Sequence, residues 1–189
     1  MRNNACRQEV SVYKRLAHGN HFRKMKGEKM EQVIPIEESA KQRLQVLVYA
    51  YSLLVKHLKE EGVDREKVKR ASDKVWAVLG QQAAAQMKPI LGETISIGTL
   101  QQAGAIAEAV HGMETNQKIT ENQLRTEFVK CPWQEANAAL DMPEDWRMCP
   151  SGHVAFTETM YKGLDPKAAY KLTKSMPAGD QICEGVTSI

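Results

Sequence analysis

The sequence predicts an α+β protein, in which a helical N-terminal layer packs on a small antiparallel sheet. Three observations lead to this prediction. Apolar residues recur at helical spacing between residues 36 and 112, apolar and polar residues alternate between turn signals after residue 113, and two Cys-Pro dipeptides each mark the start of a helix. These two cysteine-capped helices are expected to be inserted before a terminal hairpin.

Residues 1–35 are predicted to form a basic N-terminal arm, because residues 1–30 carry eight Lys or Arg against two acidic residues. A solvated terminus is favoured over an arm that binds an anionic partner. The net charge of +3 is too small to predict nucleic-acid binding. Residues 36–189 are expected to form a single domain, with a helical part at 36–112 and a cysteine-containing part at 113–189.

The distribution of apolar residues predicts neither a membrane partner nor secretion. No stretch approaches the ~20 apolar residues that cross a bilayer, and the N-terminus lacks the apolar core of a signal peptide. We therefore expect a cytoplasmic location. Four cysteines without a secretory signal are then more typical of free thiols, metal ligands or catalytic groups than of disulfides.

Two long amphipathic helices are predicted first, over residues 36–61 and from the cap Asp64 to an end at Pro89 and Gly92, and we expect them to form an antiparallel hairpin. The predicted core face of the first helix comprises Leu44, Leu47, Val48, Tyr51, Leu54, Val55 and Leu58. The predicted core face of the second comprises Val68, Ala71, Val75, Val78, Leu79, Ala83 and Met87.

A third helix, rich in small residues, is predicted to end at Gly112. Thr99 with Gln102 resembles its capping box. The small residues favour close packing of another helix or of a ligand, with helix packing the preferred interpretation. Together with the basic arm, this helix leads us to expect a homodimer. The small residues are Ala103, Gly104, Ala105, Ala107 and Ala109.

The second half of the chain alternates strands and helices. Residues 114–120 and 123–130 are predicted to pair as a hairpin, followed by helices at 132–141 and 150–162. A weaker strand is predicted at 170–176. The sequence Pro-Ala-Gly-Asp at 177–180 indicates a turn, after which 181–189 is the returning strand.

The Cys131-Pro132 and Cys149-Pro150 dipeptides predict a cysteine-centred site. Proline is favoured in the first turn of a helix, so each cysteine is expected at a helix cap, where the helix dipole lowers the pKa of a thiol. Glu135 and His153 follow their cysteines by four residues, about one helical turn. A neutral His153 could accept a proton from a thiol or from water.

Cys183, in the last predicted strand, is the third candidate for this site. A strand cysteine alone is more often a small buried hydrophobic residue, but a final hairpin beside residues 123–130 would bring Cys183 to the other two thiols. Trp133 and Trp146 are interpreted as core packing or as walls of the pocket. Cys131, Cys149, Cys183 and His153 have the ligand types of a zinc site, although their long spacing is unlike that of zinc fingers and ribbons.

At these residues the sequence resembles the L-2-amino-thiazoline-4-carboxylic acid hydrolase-like proteins, over residues 38–187. The resemblance lies in Cys131-Pro132 with Glu135, in Cys149 with His153 four residues later, and in the closing Gly-Asp-Gln-Ile-Cys-Glu at 179–184. Where family members commonly have an aromatic residue after the closing motif, this chain has Gly185.

The resemblance implies a hydrolase that opens a cyclic carbon-nitrogen bond in a small amino-thiazoline acid. One of the helix-capping thiolates would attack the amidine-like ring carbon while the histidine moves protons and helix N–H groups stabilise negative charge. A metal-bound hydroxide is the variant, with zinc or another transition metal held by the three cysteines. The expected catalytic residues are Cys131, Cys149, His153 and Cys183, and the expected substrate-binding residues are Glu135, Asp180 and Trp133.

A more distant similarity of layout is to the vinyl-reductase-type small-molecule-binding domains, and it implies only a ligand pocket. The alternative function is therefore a non-catalytic domain that binds a small molecule or a metal, or senses redox state. In both hypotheses the expected partner is a small-molecule substrate or ligand.

Overall fold

The structure, a computed structural model, describes residues 35–189. The predicted basic arm at 1–35 lies outside the described residues except for Pro35, and it stays a prediction. The described part contains five α-helices and four strands. The helices are α1 (Ile36–Glu60), α2 (Arg65–Leu91), α3 (Ile97–Val110), α4 (Pro132–Ala139) and α5 (Cys149–Leu164), with short 3-10 turns at Glu144–Trp146 and Met176–Ala178.

Local capping explains where the first helices begin. The side chain of Asp64 accepts a hydrogen bond from the backbone N–H of Lys67 at 3.0 Å, as the sequence predicts for an N-cap. The capping box of α3 consists of Ser96 and Thr99, not of Thr99 and Gln102, so this helix begins earlier than expected. Pro89 lies within the last turn of α2, and the helix ends at its C-cap Gly92, one of the two predicted end residues.

The strands form one antiparallel sheet in the order β1-β2-β4-β3. Its central strands β2 and β4 pair with Phe128 opposite Cys183. β2 ends just before Cys131 and β4 begins at Cys183, so antiparallel pairing brings both cysteines to one end of the sheet. This arrangement confirms the predicted α+β fold and its terminal hairpin. The strands are β1 (Glu114–Thr120), β2 (Gln123–Lys130), β3 (Ala169–Lys174) and β4 (Cys183–Ser188).

The two long helices form only a small contact with each other, and the main neighbour of α2 is α5. The contact between α2 and α5 is close because small residues of the two helices face each other. A Cβ atom added at Gly80 would overlap the backbone carbonyl of Phe156, and one added at Gly163 would lie 2.7 Å from the Cβ of Ala84. The predicted α1–α2 hairpin packing is therefore a minor part of the core.

The close contact also changes which face of α2 is buried. Ser72, Gly80 and Ala84 are buried, whereas Val75 and Val78 of the predicted core face are 55% and 51% exposed. Leu79, Leu47 and Leu54 are exposed as well, so this part of the predicted core is wrong. The other predicted core residues Val48, Val55, Val68 and Met87 are buried. Two helix backbones approach closely only through small side chains, so the bulky residues are excluded from this contact.

No helix within residues 35–189 combines the length and apolar character needed to span a bilayer. Of the small residues of α3, Ala103, Gly104 and Ala107 are buried, whereas Ala105 and Ala109 are exposed. Ala103 and Ala107 belong to one cluster with Phe156 and Met160 of α5. Close packing inside the domain is thus the role of the buried small residues.

We expect Gly80→Ala to lower the free energy of unfolding by about 1–3 kcal/mol, because the added methyl group meets the α5 backbone, which has no rotamer to change. Gly98→Ala is the matched control: the nearest heavy atom to its added Cβ is the Ser96 Oγ at 3.6 Å, an ordinary contact. Its stability should be unchanged or up to about 1 kcal/mol higher. Urea unfolding followed by circular dichroism measures both, and equal stabilities would contradict the close-contact interpretation.

Candidate functional site: a thiol-lined pocket

A pocket lies where the helical layer meets the end of the sheet that carries Cys131 and Cys183. Its volume, counted to the open mouth, is about 650 Å³. All three predicted cysteines and His153 line it, so the structure brings these four residues together. The other lining residues are mostly aromatic or apolar: Tyr51, Trp76, His111, Met113, Phe128, Trp133, Pro150, Phe156 and Leu172.

Two of the three thiols lie at the starts of helices. Cys131 is the N-cap of α4, and its carbonyl accepts hydrogen bonds from the N–H groups of Gln134 and Glu135, both at 3.1 Å. Cys149 is the first residue of α5, which begins one residue earlier than predicted, with Met148 as its cap. Each thiol therefore lies at a helix N-terminus, as the Cys-Pro dipeptides indicate.

Burial outweighs the helix-end effect on the thiols. It raises the pKa of Cys131, although the N–H groups of Gln134 and Trp133 act in the opposite direction. The pKa of Cys149 is raised far above its usual range, first by burial and then by the nearby Cys131 and Cys183. The direction is the reverse of that expected from helix position alone. At neutral pH these thiols are protonated, so a reaction through sulfur needs a base.

Polar neighbours hold two of the thiols in place. The side-chain amide of Asn137, on α4, donates to the Cys149 Sγ at 3.8 Å. The backbone N–H of Met176 donates to the Cys183 Sγ at 3.3 Å. Burial also raises the pKa of Cys183, and this N–H partly offsets the rise. Nothing in the sequence pattern singled out Asn137, which contacts Cys149 only because α4 and α5 meet in space.

His153 lines the pocket and is otherwise surrounded by protein, which lowers its pKa to about 4, with a smaller effect from His111. It is therefore neutral at physiological pH. Its Nε2 is hydrogen-bonded to the hydroxyl of Tyr170 at 2.8 Å, and its ring packs edge-on against Phe128. The proton-carrying role of His153 stays a prediction, and Tyr170 is the partner that the sequence did not reveal.

Gly185 explains how Tyr170 reaches His153. Tyr170 lies on β3 and Gly185 on the neighbouring β4. A Cβ at position 185 would lie 2.6–2.7 Å from the Tyr170 ring carbons Cε2 and Cζ, so only glycine leaves room for the ring. The departure from the family pattern at Gly185 thus allows the Tyr170 side chain to cross the sheet.

We expect Gly185→Ala to displace the Tyr170 ring and break its hydrogen bond to His153. The ¹⁵N chemical shifts of the His153 ring should then move in the same direction as in Tyr170→Phe, which removes the hydroxyl directly. Gly98→Ala, far from overlap with any side chain, should leave them unchanged. Unchanged His153 shifts in Gly185→Ala, with the shifts altered in Tyr170→Phe, would contradict this role of the glycine.

The predicted substrate-binding residues differ in their placement. Trp133 is buried on the pocket wall and packs edge-on against Tyr51 and Trp76, with ring centroids 5.5 and 5.1 Å apart. Glu135 and Asp180 are exposed and do not line the pocket. The Asp180 carboxylate instead accepts a hydrogen bond from the Ser175 N–H at 2.7 Å and braces the turn before Cys183.

Two other aromatic groups have clear places. Trp146 packs with the cluster formed by Val55, Val68, Met142 and Met148, which agrees with a packing role. His111, to which the sequence gave no role, lines the pocket, and burial lowers its pKa. Its position after the end of α3 gave no signal, because its contacts with Trp76 and Phe156 come from distant helices.

Within residues 35–189, no three or more His, Cys, Asp and Glu side chains are grouped as ligands of one metal ion. Zinc-sulfur bonds of about 2.3 Å would require the sulfurs to converge on one point. The donor geometry therefore gives no support to the metal variant.

The described residues thus form an α+β domain with a mostly apolar, thiol-lined pocket between its helices and its antiparallel sheet. The chain belongs to the L-2-amino-thiazoline-4-carboxylic acid hydrolase family, whose profile matches residues 39–185. This match confirms the resemblance inferred from the cysteine motifs. A sequence search of curated proteins finds no significant match.

Two solved structures are similar in fold. The phenol-responsive sensory domain of the transcription activator PoxR, determined with phenol, has a TM-score of 0.56 and 14% identity, over 75% of this chain and 73% of its own. Trafficking protein particle complex subunit 3 from Naegleria fowleri, covalently bound to palmitic acid, has a TM-score of 0.51 and 15% identity, over 78% of this chain and 95% of its own. At these identities the likeness is one of fold, and it agrees with the vinyl-reductase-type layout expected from the sequence.

Proposed function

We propose that this protein is a hydrolase that opens a small cyclic carbon-nitrogen bond, in a ring of the amino-thiazoline-carboxylate type. Family membership supports the class of reaction. The observation that carries the proposal is that Cys131, Cys149, Cys183 and His153, from two helices and a strand, line one pocket. An apolar pocket with a few convergent reactive groups is the usual form of a small-molecule site.

In the proposed reaction the sulfur of Cys131 or Cys149 bonds to the amidine carbon of the ring. His153, neutral because its pKa is about 4, accepts the thiol proton as the sulfur attacks. The ring carbon-nitrogen bond then breaks, and its electron pair and a proton go to the ring nitrogen. Water displaces the sulfur in a second step and restores the thiol. N–H groups at the helix start are suited to stabilise negative charge during attack.

Incubation of the purified protein with 2-amino-thiazoline-4-carboxylate, with the products followed by mass spectrometry, tests this proposal. We expect a product heavier than the substrate by one water. A covalent adduct on Cys131 or Cys149 in quenched samples would identify the nucleophile. Absence of turnover for this substrate and for its ring analogues would overturn the proposed hydrolase.

The second candidate is a non-catalytic small-molecule-binding domain. The observation that favours it is that burial raises the pKa of all three pocket thiols, which makes them poor nucleophiles without a base. Saturable binding of a ring analogue without turnover would support this candidate. A bound transition metal belongs to the same alternative, and elemental analysis of the purified protein measures it.

Self-association into a homodimer and a cytoplasmic location stay predictions. For the homodimer, the exposed apolar side chains of α1 and α2, among them Leu47, Leu54 and Val75, are a surface that a second copy would cover. Sedimentation equilibrium of the full chain measures the oligomeric state directly.

A further inference from the structure

A second, inner cavity lies deeper in the domain, between α3, α5 and the sheet, and its space, counted to the open mouth, is about 340 Å³. It shares wall residues with the thiol-lined pocket, among them His111, Phe128 and His153, so the two spaces adjoin along these side chains. The lining that belongs to the inner cavity alone is more polar and includes Glu108, Thr126, Thr157, Tyr161 and Tyr170. The inner cavity therefore offers a polar end to an otherwise apolar pocket.

Glu108 is the unusual member of this lining, because its side chain is buried, with 8% exposure. The hydroxyl of Thr115 and the side-chain amide of Gln117 donate to its Oε2 at 2.6 and 2.9 Å. Its Oε1 lies towards Gly104, another wall residue, where an added Cβ would be 3.6 Å away. A buried carboxyl group is costly to keep ionised unless a cation or enough hydrogen-bond donors compensate it.

None of the described residues that line the inner cavity is Lys or Arg. The titratable groups around Glu108 are His111 on its own helix, His153 and Tyr161 on α5, and Tyr170 on β3. Burial lowers the pKa of both histidines and raises the pKa of both tyrosines, so all four are neutral at physiological pH. The pKa of Glu108 is itself raised by burial, although Thr115 and Gln117 act against the rise.

We propose that Glu108 binds the protonated nitrogen group of the ligand, an amidinium or cyclic isothiouronium, and that the inner cavity is the cation-recognition end of the site. The carboxylate supplies the charge that the lining otherwise lacks. Thr115 and Gln117 both donate to Oε2, so Oε1 is the oxygen that would accept an N–H group of the amidinium. This assignment rests on the proposed substrate class and adds the group that selects it.

Two probes of nearly the same shape test the proposal by isothermal titration calorimetry at pH 7.5. 2-Amino-2-thiazoline takes up a proton at its amidine nitrogen, whereas 2-thiazolidinone is neutral. We expect wild type to prefer the cationic probe by at least about tenfold, because hydrogen bonds to charged groups contribute roughly 1.5–3 kcal/mol. Glu108→Gln should lose this preference and bind the neutral probe within about twofold of wild type.

Glu158→Gln is the matched control, since this carboxylate is 40% exposed and pairs with Lys162 on the surface of α5. It should bind both probes like wild type. Equal weakening of both probes in Glu108→Gln, an unchanged preference in that variant, or no preference for the cation in wild type would each overturn the proposal.

A wild-type measurement decides the question even if Glu108→Gln fails to fold. Because binding of the cation favours the ionised carboxylate, affinity for 2-amino-2-thiazoline should fall as pH is lowered through the raised pKa of Glu108, with proton release on binding. Affinity for 2-thiazolidinone should not change. A cationic probe whose affinity is independent of pH would overturn the proposal. These probes report binding without turnover, so failure here is distinct from failure of the hydrolase assay.

Discussion

The single variants Cys131→Ala and Cys149→Ala are expected to show which of the two cysteines is the nucleophile. The variant that lacks the nucleophile should lose about 10³-fold or more in kcat. Both thiols lie at helix starts and line the same pocket, but only one can form the bond to the ring carbon. The other variant should lose much less, since its effect acts through packing. Steady-state rates with 2-amino-thiazoline-4-carboxylate measure both.

Cys6→Ala is the natural control, because Cys6 is the one cysteine of the chain outside residues 35–189. It should keep the wild-type rate. Circular dichroism and thermal unfolding of each variant establish that the fold is intact, because alanine in place of a half-buried cysteine leaves only a small cavity. If both pocket variants retain the rate of Cys6→Ala, the thiol mechanism is wrong.

His153→Gln should lower kcat/KM by about 10²–10⁴-fold, the usual contribution of a positioned general base. The protonated thiols of this pocket make such a base necessary, and His153 is neutral from high pH down to about 4. In wild type, kcat at saturating substrate should therefore fall only as pH approaches about 4, whereas kcat/KM should also fall through the raised pKa of Glu108. A fall in kcat centred near the ordinary histidine value of 6.5 would contradict the assignment.

The same histidine predicts how stability depends on pH. Because its pKa is lower in the folded chain than in the unfolded chain, protonation favours the unfolded state, and stability is lost as pH falls from about 6.5 towards about 4. His153→Gln should lose less stability over this range. His57→Gln, which removes an exposed histidine paired with Glu60, is the matched control and should follow wild type in both rate and stability.

The grouping of Cys131, Cys149 and Cys183 was predictable because the sequence signals that position them are local. A Cys-Pro dipeptide at a helix start fixes where each thiol lies, and the terminal turn at 177–180 implies that the last strand returns to the sheet. Pairing of Phe128 with Cys183 then completes the site. Family resemblance supplied the order of these motifs along the chain.

The polar side of the site was not predictable, since Tyr170 and Glu108 become partners of the pocket only through packing between distant elements. Tyr170 needs a glycine on the neighbouring strand, and Glu108 needs the donors Thr115 and Gln117 from β1. In sequence, Glu108 looks like one more helical charge. Neither residue has a partner at a recognisable spacing, so periodicity and motifs give no reason to select it.

The buried faces of the long helices were only partly predictable for a related reason. Hydrophobic periodicity identifies the side of a helix with the bulkiest apolar residues, and this side of α2 includes the exposed Val75 and Val78. The close contact between α2 and α5 depends instead on Gly80 and Gly163, whose missing side chains carry no hydrophobic signal. The property that decides which face of α2 is buried is therefore the small size of its glycine.

That backbone-to-backbone contact between α2 and α5 also determines how the pocket can adapt to ligands of different size. A wall held by main chain cannot retreat by changing rotamers, so the α5 side, with Cys149 and His153, acts as a fixed reference surface. Other parts of the lining consist of large aromatic side chains such as Tyr51 and Trp133, which form an aromatic wall and can be shortened by mutation. Divergence of ligand range among relatives should therefore be concentrated on the aromatic wall, while the reacting groups keep their positions.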